Sequence, residues 1–399
     1  MPIMQQDAET VGWAQEAERQ AARSSSPLRI LMLGPSLDMI GGQARQAARL
    51  LTHLREEQSL EVTFMQVNPR LPGFLRNLQK IKYVRTVATT LVYWAKLLLK
   101  TNKYDVLHIF SASYYSYLLS AAPAILIGKL YGKKTILNYR SGEAEDHLRN
   151  WRWTARPTIR LAHMIVVPSG YLVDVFARFG LRASAIYNII ELDRFRYRER
   201  SPLRPVFLAS RLLEPLYNVG CVLRAFSVIQ KEFPEASLVV AGDGSERAAL
   251  ENLARELGLR NTEFIGAVPF EKMPEVYDRA DIYLNAPNLD NMPSSITECL
   301  ASGLLVVTTN AGGIPYIVKH EETCLMVERD DHEAMAAAAI RLLKDNDLAS
   351  EIARRGLESC QKYRWAAVQN AWLSLYHELA DDGSRAGTGM ARNAVNLND

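Results

Sequence analysis

Short apolar runs alternating with helix-period segments, twice over, constrain this chain more than any other feature of its sequence. In the first half the runs are Leu28–Gly34, Glu61–Val67, Tyr104–Phe110, Lys134–Tyr139, His163–Pro168 and Ala185–Ile190; in the second they are Val206–Ala209, Ala236–Gly244, Thr262–Gly266, Asp281–Asn285 and Leu304–Val307. Runs this short and this apolar read as strands buried on both faces, the condition of a parallel sheet sandwiched by helices. Strand–helix alternation of this kind builds Rossmann-like sheets. Between the two series lies Glu191–Pro205, charged and ending in Ser-Pro-Leu-Arg-Pro, which reads as an interdomain linker. A chain of 399 residues is longer than one core usually supports. The expected fold is therefore α/β, with two Rossmann-like domains at 27–190 and 206–362, a closing helix at 363–380, and a disordered leader (1–26) and tail (381–399).

Charge separates the halves. Pro27–Arg200 carries 26 basic and 12 acidic residues, whereas Ser201–Ala380 carries 17 and 25, so the two domains are expected to meet different partners. Cys221, Cys299, Cys324 and Cys360 show no C-x-x-C spacing. Neither disulfides nor structural zinc are expected, and a reducing cytoplasm suits them. The leader contains Asp7, Glu9, Glu16 and Glu18 and lacks a basic start followed by an apolar core, which argues against a secretory signal. The most apolar stretch, Tyr117–Tyr131, is broken by Ser120, Pro123 and Lys129 and is shorter than the ~20 residues of a spanning helix.

Chemistry concentrates in Asn285–Gly313. Asp290 and Glu298 are eight residues apart, with Asn291, Met292, Pro293 and Ser294 between them as a turn whose backbone N–H groups are expected to stay free. A helical pattern starts at Ser295, so Glu298 projects from its first turns, near the positive end of the helix dipole. Gly303 reads as the helix stop, and Asn310–Gly313 opens a glycine loop after the next strand. Loops at the carboxyl edge of such a sheet are where open α/β domains bind ligands. A carboxylate early in a helix is also a common cap, so Glu298 alone leaves both readings open.

Together these residues resemble the E-x7-E signature of retaining glycosyltransferase family 4, a group with the GT-B fold. Asp290 stands where that pattern has its first Glu, and Glu298 where it has its second. The resemblance implies that Asp290 and the amides through Asn291, Met292 and Pro293 hold the donor sugar, while Glu298 accepts from the ribose of a nucleotide diphosphate sugar. It implies that Gly41 and Gly42, between the first strand and a helix opening near Arg45, form the loop facing the diphosphate. Arg211 in Ser-Arg-Leu would bind the diphosphate, and Gly242 and Gly244 would form the G-x-G turn near the nucleotide. It also implies that the closing helix crosses back onto the first domain. Several positions depart from the pattern: Asp290 is shorter by one methylene, Tyr217 stands where a second diphosphate-binding Lys is usual, Arg140 occupies the strand end that commonly presents a His, Ile189 and Glu191 replace a Gly and an Asp of the connector, and Tyr316 stands where Glu is frequent. Arginine cannot act as a base at neutral pH but can neutralise phosphate. Arg140, Arg211 and Asp290 are thus the candidate catalytic residues, with no cofactor and no metal expected.

Other features stay secondary. Arg70, Arg76, Lys80, Lys82, Arg85, Lys96, Lys100 and Lys103 fall in a span with no acid between Glu61 and Asp105, interleaved with apolar and aromatic residues. Either this is a solvated basic face or residues 70–103 dock on an anionic membrane surface; nucleic acid ranks last, because no binding module accompanies the charge. His108 inside a strand reads as structural, and Asp345-x-Asp347 as a helix-capping turn rather than a metal site. Glu143, Glu145, Asp146 and His147 stand on one loop, as acceptor contacts or as helix caps. The expected function is retaining sugar transfer to a saccharide or lipid-linked acceptor, as in polysaccharide or glycolipid synthesis, by a cytoplasmic protein that could sit peripherally on the inner membrane face. A non-catalytic sugar-nucleotide binder and an epimerase remain open; an NAD enzyme is disfavoured because no G-x-G-x-x-G follows the first strand.

Overall fold

A computed structural model describes residues 26–38, 41–69 and 82–381. The leader through residue 25, the tail from residue 382, and Arg70, Arg76 and Lys80 of the basic stretch lie outside the described residues.

The first half runs β1 (Leu28–Gly34), α1 (Gly42–Glu56), β2 (Leu60–Gln66), α2 (Lys82–Lys100), β3 (Val106–Ser111), α3 (Ala122–Leu130), β4 (Lys134–Tyr139), α4 (Ala144–Asn150), α5 (Ala155–Ile159), β5 (Met164–Val167), α6 (Gly170–Arg178) and β6 (Ser184–Ala185). Its sheet is parallel in the order β2-β1-β3-β4-β5-β6. Side chains alternate across it: Leu31 and Leu33 join Tyr93, Leu97 and Ile125 on one face, whereas Ile30 and Met32 join Ala47 and Leu50 of α1 on the other. Both faces are covered, which is why these strands are apolar at successive positions.

The second half runs β7 (Val206–Ser210), α7 (Val219–Glu232), β8 (Ser237–Ala241), α8 (Arg247–Glu256), β9 (Thr262–Gly266), α9 (Met273–Arg279), β10 (Ile282–Asn285), α10 (Ser294–Ala301), β11 (Leu305–Thr309), β12 (Leu325–Val327), α11 (His332–Lys344), α12 (Asn346–Ser359) and α13 (Trp365–Asp381). The parallel order is β12-β11-β10-β7-β8-β9. Each sheet has a switch point where the winding direction reverses, between β1 and β3 in one and between β7 and β10 in the other. The crevice at the carboxyl ends of such strands receives ligands, and here the two crevices face each other across one cleft. The fold is GT-B.

Helix α13 belongs by contact to the first sheet: Val368, Trp372, Leu375, Tyr376 and Leu379 are buried in the cluster that includes Ile30, Leu50 and Val106. Gly303 takes a left-handed φ of 78° just after α10, and a side chain there would strike the Arg198 carbonyl, so this helix stop needs glycine.

Two expectations change. The run 185–190 forms a strand only at Ser184–Ala185, because Ile189 N–H donates to Gln46 Oε1 (2.9 Å) and Ile190 N–H to the Tyr363 carbonyl (2.9 Å) rather than to a neighbouring strand. Strand β12 was not anticipated; three residues are too few for a period to show. Asp345 caps α12 by accepting from Leu348 N–H (3.0 Å), the cap reading of the D-x-D pair.

Candidate active site

The cleft between the sheets encloses about 580 Å³. Its lining includes Gly41, Gly42, Arg45, Arg140 and Glu143 from the first domain and Arg211, Tyr217, Gly242, Asp290, Asn291, Met292, Pro293 and Glu298 from the second. A Cβ added to Gly41 or Gly42 meets nothing within 4 Å. Packing therefore does not demand glycine there; the open space in front of the loop is on the cleft side. Gly242 differs: with φ of 150°, its added Cβ would fall 1.8 Å from the Arg211 carbonyl oxygen. Its lack of a side chain lets the β8 loop press on the backbone that carries Arg211. Gly244, expected at the nucleotide, does not line the cleft and instead packs where a Cβ would meet the Leu213 carbonyl at 2.3 Å.

Arg211 follows β7 directly. Its Nη1 donates to Ser295 Oγ (3.2 Å), its Nη2 pairs with the Asp290 carboxylate, and its guanidinium lies 4.1 Å from the centre of the Tyr217 ring. Burial works against its charge, but Asp290 outweighs burial and raises its pKa. Its Nε has no partner. Tyr217 thus supports Arg211 by stacking where a second cation was the pattern.

The turn after Asp290 is less open than its sequence suggests. Asp290 Oδ1 accepts from Asn291 N–H (2.8 Å), so that amide is not free, contrary to the expectation of free donors along the turn. The Asn291 side chain meets Ser169 Oγ of the first domain, and Met292 O accepts from Asn188 Nδ2 (3.2 Å). Both residues line the cleft, but their side chain and carbonyl respectively serve as interdomain contacts. Gly312 and Gly313 lie on this turn: added Cβ atoms would be 2.2 Å from the Asp290 carbonyl and 1.9 Å from that of Asn291. Pro293 begins α10 with no side-chain cap, leaving the helix start toward the cleft.

Glu298 is 1% exposed. Its Oε2 accepts from Tyr277 Oη (2.8 Å), while Oε1 lies 3.6 Å from Arg49 Nη2 and 3.8 Å from Arg45 Nη1, without a hydrogen bond. Arg49 and Arg45 stand one turn apart on α1, so the first domain reaches across to this carboxylate. Both guanidinium groups also lie over the Phe270 ring, at 4.8 and 4.3 Å. Arg49 and Tyr277 were missed in the sequence. The available signal was an Arg pair at i, i+4 with Gln46 on an otherwise Ala- and Leu-rich helix.

Arg140 follows β4. Its Nη1 donates to Asn138 Oδ1 (3.0 Å), and its Nη2 is buried without a partner. Burial lowers its pKa to about 9, so it is still charged at neutral pH, and among the described residues no carboxylate forms an ion pair with it. Behind it runs a buried chain. Arginine only donates, so Asn138 must turn its oxygen to Arg140 and its amide to His108 Nε2 (2.9 Å). Nε2 therefore accepts, Nδ1 carries the proton, and Nδ1 donates to Tyr376 Oη of α13 (2.6 Å). Burial, then Arg140, hold the His108 pKa at about 3, so the ring is neutral as the chain requires. The four residues expected on one loop do not share one: Glu143 precedes α4, whereas Glu145, Asp146 and His147 lie within it, and only Glu143 lines the cleft. Glu145 is paired with Arg149 and Arg178, Asp146 accepts from Tyr114 Oη (2.6 Å), and His147 is buried at 2.9 Å from Tyr139 Oη.

The same two halves match two family models, "Glycosyltransferase Family 4" over residues 40–194 and "Glycosyl transferases group 1" over residues 193–359. The chain belongs to glycosyltransferase family 4. This glycosyltransferase is 26% identical over 294 residues (66% of this chain, 73% of the relative) to the GDP-mannose-dependent alpha-(1-6)-phosphatidylinositol monomannoside mannosyltransferase of Mycobacterium tuberculosis. It is 23% identical over 286 residues (70% and 77%) to a Campylobacter jejuni alpha-1,4-N-acetyl-D-galactosaminyltransferase named for a diNAcBac-PP-undecaprenol-linked acceptor. Among solved structures, Anabaena HepE in complex with UDP superposes with a TM-score of 0.70 at 15% identity, covering 88% of this chain and 100% of that one. Sucrose-phosphate synthase of Thermosynechococcus elongatus gives 0.69 at 18%, covering 89% and 100%. Among the described residues of the glycosyltransferase, no helix is long and apolar enough to cross a membrane.

Proposed function

We propose that the cleft binds a nucleotide diphosphate sugar and transfers its sugar, with retention, to a saccharide on a lipid carrier. One observation carries the reading: among the described residues Arg140 Nη2 and Arg211 Nε are donors without a hydrogen bond, and Glu298 Oε1 an acceptor without one beside its two arginines, in one cleft that Gly41 and Gly42 leave open. Buried polar atoms left without partners call for a ligand that supplies them. Two guanidinium groups match a diphosphate, and a carboxylate matches ribose hydroxyls. The lipid-linked acceptors and the GDP-mannose in the relatives' names, and the UDP bound by the structural neighbour, support the substrate classes.

In the resting cleft Asp290 occupies Arg211. An incoming diphosphate competes for that guanidinium and frees the Asp290 carboxylate to accept from hydroxyls of the sugar. As the bond between the sugar C1 and the diphosphate oxygen breaks, Arg211 and Arg140 stabilise the charge growing on the leaving group. The acceptor hydroxyl attacks C1 on the face the diphosphate leaves, and its proton passes to the departing phosphate oxygen. Arg140 takes no proton, because it is already charged. Guanidinium groups supply the positive charge, so transfer is proposed to proceed without a bound metal. Calorimetric titration with UDP, GDP, ADP and their sugar conjugates tests the donor site: one nucleotide should bind, and Arg211→Ala and Glu298→Ala should each abolish it. Binding without transfer to any lipid-linked acceptor would favour a sugar-nucleotide binder, and an inverted product anomer would refute retention.

A further inference from the structure

Helix α2 has two apolar stripes. Tyr93 and Leu97 are buried against the first sheet. Tyr83, Val84, Val87, Leu91, Trp94 and Leu98 form a second stripe, spanning about 100° of arc at ~100° per residue, and this one faces outward. Leu99 extends it, and Leu126, Leu130 and Tyr131 of the adjoining α3 region continue it; Tyr83 and Leu99 are each 78% exposed and Leu130 76%. Twelve of the fifteen large apolar side chains exposed among the described residues fall between Tyr83 and Trp153. An ordinary surface helix has one apolar stripe and turns it inward, so a second, exposed one marks a surface built to be covered.

Charge identifies what covers it. Between residues 82 and 142 the sequence has nine Lys and Arg but a single acid, Asp105, and that acid is paired with Arg29 at 2.9 Å. On α2, Leu99 carries the apolar arc round to about 160°, and Arg85 and Lys96 follow on that one edge at about 200–220°; Lys129 is exposed within α3 between Leu126 and Leu130. Long basic side chains beside an apolar stripe reach up to headgroups while the stripe enters the acyl boundary. A protein partner would have to supply both a large apolar face and a concentrated negative rim; an anionic bilayer supplies both. We propose that this face, on the side of the first sheet away from α13, docks on anionic phospholipid with α2 lying in the membrane plane. This placement stands independently of the transfer reading.

The test is co-flotation of the full chain with phosphatidylcholine vesicles, with or without about one-third phosphatidylglycerol, at low and high salt. Recovery should be at least about tenfold greater on the anionic vesicles and should fall with salt. The double variant Leu99→Glu/Leu130→Glu should lose flotation, with melting temperature and donor-nucleotide binding unchanged. Lys96→Glu/Lys100→Glu, which leaves the apolar stripe intact, should weaken flotation on anionic vesicles only. Equal recovery on neutral and anionic vesicles, no recovery on either, or flotation untouched by both variants would overturn the proposal. So would light scattering that shows a dimer dissociated by Leu99→Glu/Leu130→Glu, which would assign the face to a second copy.

Discussion

Replacing Asn138 by Leu keeps the approximate volume of a fully buried residue and deletes the middle of the chain that holds Arg140. Two contacts disappear: the Asn138 Oδ1 acceptor of Arg140 Nη1 at 3.0 Å and the Nδ2 donor to His108 Nε2 at 2.9 Å. Their consequences differ by location. His108 is fully buried, so its Nε2 is left without water or partner, at about 1–3 kcal/mol. Arg140 borders the cleft and can recover solvent, so its loss costs little stability but frees the guanidinium to swing. A total destabilisation of about 1–3 kcal/mol is expected by urea titration, with kcat/KM down about 10- to 100-fold from a mispositioned charge at the leaving group. Tyr376→Phe is the control. It removes only the 2.6 Å contact to His108 Nδ1, costs a similar ~1–3 kcal/mol, and leaves Arg140 held by Asn138, so kcat/KM should stay within about threefold. Equal losses of activity in the two variants would refute the claim that Asn138 positions Arg140, since stability alone would then account for both.

Four further outcomes follow from the same geometry. Tyr217→Lys restores a second cation beside the cleft and should tighten nucleotide diphosphate binding by about three- to tenfold at low salt, with the gain shrinking as salt rises; calorimetry reads it. Glu298→Gln removes the carboxylate but keeps an acceptor, so donor affinity should fall about tenfold, less than in Glu298→Ala. His108 and His147 are held by burial at about 3 and about 4, below the ordinary 6.5. The unfolded chain therefore binds more protons than the native one as pH falls below 6.5, and each ring lowers stability by up to ~1.4 kcal/mol per pH unit until its native pKa is reached. Urea titrations at pH 7.5 and 5.5 should show this loss, and His108→Gln should lessen it. Finally, transfer measured after exhaustive chelation should be unchanged if guanidinium groups carry the leaving-group charge; abolition restored by a divalent cation would count against that mechanism.

Strand and helix periods made both sheets legible, because parallel strands covered on both faces are apolar throughout and a glycine at 303 or 242 marks a backbone that can go no other way. Asp290 and Glu298 were legible because they follow a strand end eight residues apart, and Arg211 because its Ser-Arg-Leu resembles the family's pattern; the fold brings all three to one cleft. What escaped were contacts made between distant segments. Nothing near Glu298 in the sequence announces that Arg45 and Arg49, some 250 residues earlier, close over it. Asn138 looked like one polar residue in a strand, and only the fold puts His108 on one side of it and Arg140 on the other. The free amides expected after Asp290 failed on a local detail, since its own carboxylate turns back onto Asn291 N–H.

Helix α13 follows the second domain in the chain yet fills the first. Val368, Trp372 and Tyr376 complete the hydrophobic layer under Ile30, Val106 and Ile136, so during synthesis that layer stays open until the second domain has also been made. The second domain, whose cores lie between Ile190 and Tyr363, can close first. Assembly therefore runs opposite to chain order, and the last link of the chain from Tyr376 to Arg140 forms only once both domains exist. An early stop before residue 368 would release a folded second domain tethered to an unfinished partner. For the same reason, a split version of this glycosyltransferase should work only if residues 363–381 travel with the first half.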